Sequence, residues 1–117
     1  MATDAVPVYT LDGIGLNRCP TLLKIDVEGM ELAVLRGARA TIARCRPVLF
    51  FENNCVRGSR DILAFATSPA SRGGLGMECH WVVEPYFNAG NFFGNATSIF
   101  PDEAWPVRKT CCGLRNT

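Results

Sequence analysis

The chain alternates between short apolar runs and helical periodicity. Val6 to Leu11 sets β-branched and aromatic residues in rough alternation, which predicts a short strand with Pro7 near its start, where a missing N–H is tolerated. Asp12-Gly13 breaks that run, and Gly15 to Thr21 reads as a connection. Leu22 to Val27 is nearly continuous in apolar character, which suits a parallel strand covered on both faces. Lys24 interrupts it and must snorkel or reach an acid. From about Gly29 to Arg44 the residues Met30, Ala33, Val34, Gly37, Ala38, Thr41 and Ile42 recur at helical spacing, opposite Glu31, Arg36, Arg39 and Ala43. A second apolar run, Val48 to Phe51, then stops at Glu52-Asn53-Asn54.

Strand, helix and strand at this spacing predict a parallel βαβ unit near the usual length of about 30 residues. Further on, Arg57 to Asp61 reads as a turn with Ser59 as N-cap, followed by a short helix built on Ile62, Leu63, Phe65 and Ala66. Ser68-Pro69 ends it, and Ser71 to Gly76 reads as a flexible loop. Glu78 to Val83 is a predicted strand, Pro85 to Phe100 reads as irregular, and the last fifteen residues carry only weak strand signals.

Both strands of the βαβ unit end on acid. Ligands of open α/β sheets bind beyond the carboxyl ends of the strands, so Asp26, Glu28 and Glu52 are the candidate catalytic residues, expected to converge on one crevice. Glu28 serves the helix dipole equally well, and Glu31 falls in the first helical turn, where capping is the expected role. His80, the single histidine, has a general-base reading and a plainer one as a strand residue. Trp81, Tyr86, Phe87, Phe92 and Phe93 could wall a pocket, but core packing is the default for such residues.

The segment Leu23 to Gly29 with Glu31, then Leu35 to Ala38, Arg46-Pro47 and Glu52, resembles the FkbM family of S-adenosylmethionine-dependent methyltransferases. That family carries an Ile-Lys-Ile-Asp-Val-Glu-Gly-x-Glu strand, a helix with Leu-Arg/Lys-Gly-Ala, then Arg-Pro and a strand ending in Glu. Val8 to Asp12, Asn53 to Arg57 and Pro85 to Phe93 are similar to further family features, so the likeness spans roughly residues 6 to 100. It implies an α/β, partial Rossmann-like methyltransferase fold, with a mainly parallel sheet and flanking helices. It also implies S-adenosylmethionine as cofactor, and methyl transfer to a hydroxyl of a small molecule or glycan, with Asp26 or Glu28 as base or orienting group.

No Gly-x-Gly-x-x-Gly turn or ribose-binding acid precedes the Asp26 strand. The expectation is therefore a single partial domain over residues 1–117, lacking the N-terminal cofactor-binding strands, with its cofactor-binding residues unknown. The rival reading is an inactive remnant, or an interaction module with an open sheet edge.

Composition adds limits. Charged residues make up 20% of the chain and the net charge is +1, which gives no reason to expect nucleic acid as a partner. No apolar run approaches the roughly 20 residues that span a bilayer. The six cysteines form no Cys-x-x-Cys pair, so no structural metal site is expected. Without a basic, apolar leader in the sequence, the expectation is reduced thiols and a cytoplasmic location. Asn95-Ala96-Thr97 matches a glycosylation sequon, and on that expectation it is a chance match.

Overall fold

A computed structural model describes residues 4–53, 56–84, 90, 92, 94 and 107–113. The βαβ unit is there. Strand β1 (Leu22–Ile25) and strand β2 (Val48–Glu52) pair in parallel, Leu22 opposite Val48 and Ile25 opposite Phe51. The sheet is mixed rather than mainly parallel. Its order is β1-β2-β4-β3, with β3 (Glu78–Glu84) and β4 (Val107–Gly113). Strand β4 runs antiparallel to both neighbours. A weakly patterned C-terminal run thus takes a central position, because strands on both sides supply the hydrogen bonds that its own sequence does not advertise.

The N-terminal strand is not formed. Residues 4–10 form no helix or strand and pair with no strand among the described residues, with Val6, Val8 and Tyr9 exposed. Thr10 instead caps a one-turn helix α1 (Leu11–Ile14), its hydroxyl accepting from the Gly13 amide at 3.0 Å. This helix also explains why the long predicted helix breaks into α2 (Glu31–Gly37) and α3 (Arg39–Cys45). Asp12 places its two carboxylate oxygens on the first amides of α3, Ala40 at 2.9 Å and Thr41 at 2.8 Å. Gly37 lets α1 lie this close, since a Cβ there would sit 3.1 Å from the Thr10 side chain.

The helix stripe differs from the expected one at its start. Glu31, Leu35, Ala38 and Ile42 are buried, whereas Met30 and Ala33 are exposed. An acid occupied the first position of the true stripe and disguised it. Helix α4 (Val56–Thr67) starts earlier than expected, so Ser59 lies inside it rather than at its cap. The glycine-rich stretch after it is not a free loop. A 3₁₀ turn (Ala70–Arg72) leads into backbone bonds from Leu75 to Phe65, Gly76 to Ser68 and Met77 to Ala66, which lay the segment along α4.

The core lies between the helices and one face of the sheet. Ile25, Leu49, Phe51, Thr110 and Cys112 line that face by register and are buried against Leu35, Ala38, Ile42, Ile62 and Ala66. On the opposite face Leu22 and Val48 stay exposed, so β1 is not covered on both sides as its composition suggested.

The expectation of reduced thiols is overturned for four cysteines. Cys19 joins Cys45, tying the connection before β1 to the end of α3, and Cys79 joins Cys112, its register partner across β3 and β4. The Cα separations, 5.2 and 4.0 Å, are set by the fold and are invisible to sequence spacing. Cys111 is a free thiol and half-buried, and Cys55 lies outside the described residues. Titration of the unfolded, unreduced chain should therefore count no more than two of the six thiols. A count of six would contradict both cross-links. Reduction should lower stability by about 2–4 kcal/mol per bridge.

Asp12 gives a pH dependence. Partial burial opposes its ionisation, but the amides of Ala40 and Thr41, the Thr41 hydroxyl and the charge of Arg44 outweigh that and hold its carboxyl below the ordinary aspartate range. A lowered folded-state pKa contributes stability above the unfolded value of about 3.9, and that stability is lost as pH falls through the folded value. The urea midpoint should accordingly fall on acidification below about pH 4, and fall less steeply in Asp12→Asn. Parallel curves for the two proteins would show that the cap carries no linkage.

Candidate functional site at the strand exits

Asp26 follows Ile25 at the end of β1, and Glu52 follows Phe51 on β2. Since Ile25 and Phe51 are register partners, Asp26 and Glu52 each directly follow a paired position on adjacent parallel strands. Asp26 is exposed, with its Oδ2 3.9 Å from the Lys24 ammonium. Both side chains are well solvated, so the pair is weak and leaves the carboxylate accessible. Lys24 thereby does find an acid. Glu52 is half-buried. Glu28 is exposed in the turn that follows, with φ +54, a conformation that costs a non-glycine residue free energy and persists only where its surroundings impose it.

Glu31 supplies that imposition. Its side chain is buried and turns back from the first turn of α2, where Oε1 accepts from the Val27 amide at 3.3 Å and the Gly29 amide at 3.1 Å. The residue expected to cap the helix turns its carboxylate back to hold the loop that carries Asp26 and Glu28. Its place on the buried stripe, four residues before Leu35, was the signal that sequence reasoning passed over. Glu31→Ala should then cost about 1–3 kcal/mol, because the part-buried bonds to the Val27 and Gly29 amides are both lost, and Glu31→Gln should recover part of this. Chemical denaturation measures both. A loss of only a few tenths of a kcal/mol for Glu31→Ala would return the residue to a dipole role.

Asn53, just past Glu52, is also buried, and its amide nitrogen donates to the Thr110 hydroxyl at 3.1 Å, fastening the end of β2 to β4. His80 lies elsewhere, exposed on β3 and 3.3 Å from Glu78. Trp81 is half exposed and Phe92 almost fully exposed, while Tyr86, Phe87, Phe93 and the Asn95 sequon lie outside the described residues. Among the described residues no group of three or more His, Cys, Asp or Glu side chains could hold a metal ion. The same limit applies to membranes: no helix among them is long and apolar enough to cross one.

The sequence of the FkbM methyltransferase domain matches residues 1–95, which is 95 of the 117 residues. The chain belongs to the FkbM methyltransferase family. Comparison with curated proteins gives no match, and comparison with solved structures gives none either. Within the FkbM match fall the βαβ unit, all three strand-exit acids and Glu31.

A nucleoside sulfonium cofactor calls for close backbone approach at a glycine turn and a free acid for its ribose hydroxyls. The turn after β1 has one glycine, Gly29, and its buried acid, Glu31, is committed to the loop amides. The turn after β1 therefore does not by itself supply the glycine turn and ribose acid that S-adenosylmethionine takes.

Proposed function

We propose that this chain is the acceptor-side part of an S-adenosylmethionine-dependent O-methyltransferase, with the main donor-binding elements lying outside these residues. The observation that carries the reading is that Asp26 and Glu52 directly follow the paired Ile25 and Phe51 on adjacent parallel strands, in a chain of the FkbM family. A hydroxyl attacks an electrophilic methyl only when the two are held in line and the hydroxyl proton is taken up. Asp26 is the exposed acid suited to that proton, through an oxygen of its carboxylate. Glu52 and Glu28 would accept hydrogen bonds from neighbouring hydroxyls and orient the acceptor, a small molecule or glycan.

The test is transfer of labelled methyl from S-adenosylmethionine to a panel of hydroxylated acceptors. It would use this chain alone and this chain preceded by a glycine-rich strand–turn–helix segment. Transfer by the longer protein, lost in Asp26→Asn, supports the reading. The second reading, an interaction module, draws on the exposure of Leu22, 56%, on the edge strand β1. A concentration-dependent dimer without transfer in either form would favour it.

A further inference from the structure

Away from the strand-exit acids, a cleft of about 300 Å³ opens between α2, α4 and the turn that follows α4. Asp61, Ala64, Phe65 and Ser68 form one wall, at the i, i+3, i+4 and i+7 positions of a single helix face. Arg36 enters from α2 and Arg72 from the 3₁₀ turn, and Gly73-Gly74 closes the end.

This end is built to be rigid. The Gly74 amide donates to Pro69, the Gly76 amide to Ser68 and the Leu75 amide to Phe65. Any Cβ at Gly74 would fall 2.1 Å from the Ser68 carbonyl oxygen, so the backbone approach there admits only glycine. Arg46 reinforces the same turn from α3 with a 2.7 Å bond to the Leu75 carbonyl.

The polar groups facing the cleft are unspent. Among the described residues, Arg36, Arg72 and Asp61 enter no ion pair, and the Ser68 hydroxyl makes no hydrogen bond. Two guanidiniums from separate elements, brought to one small concavity beside a free hydroxyl, are the donor set that suits a planar or tetrahedral oxyanion.

We propose that this cleft binds a small molecule bearing an oxyanion, carboxylate or phosphate, gripped by Arg36 and Arg72 with Ser68 as a further donor. Asp61 on the wall selects ligands that also carry a hydrogen-bond donor, such as a hydroxyl beside the anionic group. None of Asp26, Glu28 or Glu52 lines the cleft, so the site stands independently of the methyltransferase reading.

The test is an NMR titration of the 117-residue chain with inorganic phosphate, and separately with acetate, at low ionic strength. Saturable shifts at the amides of residues 68 and 72–74 are expected with at least one of the two, and which one names the anion. Arg36→Gln and Arg72→Gln should each weaken binding about tenfold, as loss of a charge-assisted bond does. Asp61→Asn should tighten it several-fold, and Arg39→Gln, an exposed arginine outside the cleft, should leave it unchanged. All these substitutions are at exposed positions, and a retained unfolding midpoint confirms the fold in each. No saturation with either anion, or equal affinity in wild type and both arginine variants, would overturn the proposal.

Discussion

Asp26→Asn, in this chain preceded by a glycine-rich strand–turn–helix segment, is expected to slow methyl transfer by about 10²–10⁴-fold, the usual cost of losing acid–base help. The substitution keeps the shape of the side chain and removes the charge. Its only ion pair among the described residues is the solvated 3.9 Å contact with Lys24, so the unfolding free energy should move by less than about 1 kcal/mol. The separation of the two effects is what identifies a chemical role. If activity and stability fell together, Asp26 would be a structural acid of the β1 exit. Full activity would remove it from the site altogether.

The second large effect concerns the sheet. Phe51 is fully buried near the end of β2, level with Ile25 on one side and Thr110 on the other. Phe51→Ala is expected to cost about 3–5 kcal/mol, through lost burial and the cavity left in a close-packed core. For a domain this small that is a large share of total stability, typically about 5–15 kcal/mol. Urea denaturation with both disulfides intact would measure it. A cost under about 1 kcal/mol would mean that Phe51 does not face the core and that the register of β2 against β4 is wrong.

The parts of this fold that were legible in the sequence are those in which local pattern and tertiary role coincide. The runs 22–25 and 48–52 are apolar, end on acid and enclose helical periodicity, and they became the parallel pair. Where long-range partners decide the outcome, the sequence was silent or misleading. Thr10 and Asp12 look like a strand end and a breaker, but they cap helices, Asp12 across 28 residues of chain. Strand β4 becomes a strand only because β2 and β3 flank it. The disulfides depend on register and packing that no spacing rule contains.

The candidate site divides in the same way. Asp26, Glu28 and Glu52 were visible as acids at strand exits, and the parallel register pairs Ile25 and Phe51, the residues just before Asp26 and Glu52. Glu31 was visible only as a charge near a helix start. Its burial and its two bonds to the loop amides emerge once the helix is packed on the sheet. The Arg36 and Arg72 cleft had no sequence signature, because a turn folded back along α4 is what brings the two cations together.

The measurement that bears most directly on the central claim is calorimetric titration of S-adenosylmethionine into the 117-residue chain and into the chain preceded by a glycine-rich strand–turn–helix segment. The account predicts weak or undetectable binding to the first and saturable binding to the second, retained in Asp26→Asn while turnover is lost. Tight binding by the 117-residue chain alone, abolished by substitution of Asp26 or Glu52, would contradict it and place the cofactor at the strand exits assigned here to the acceptor.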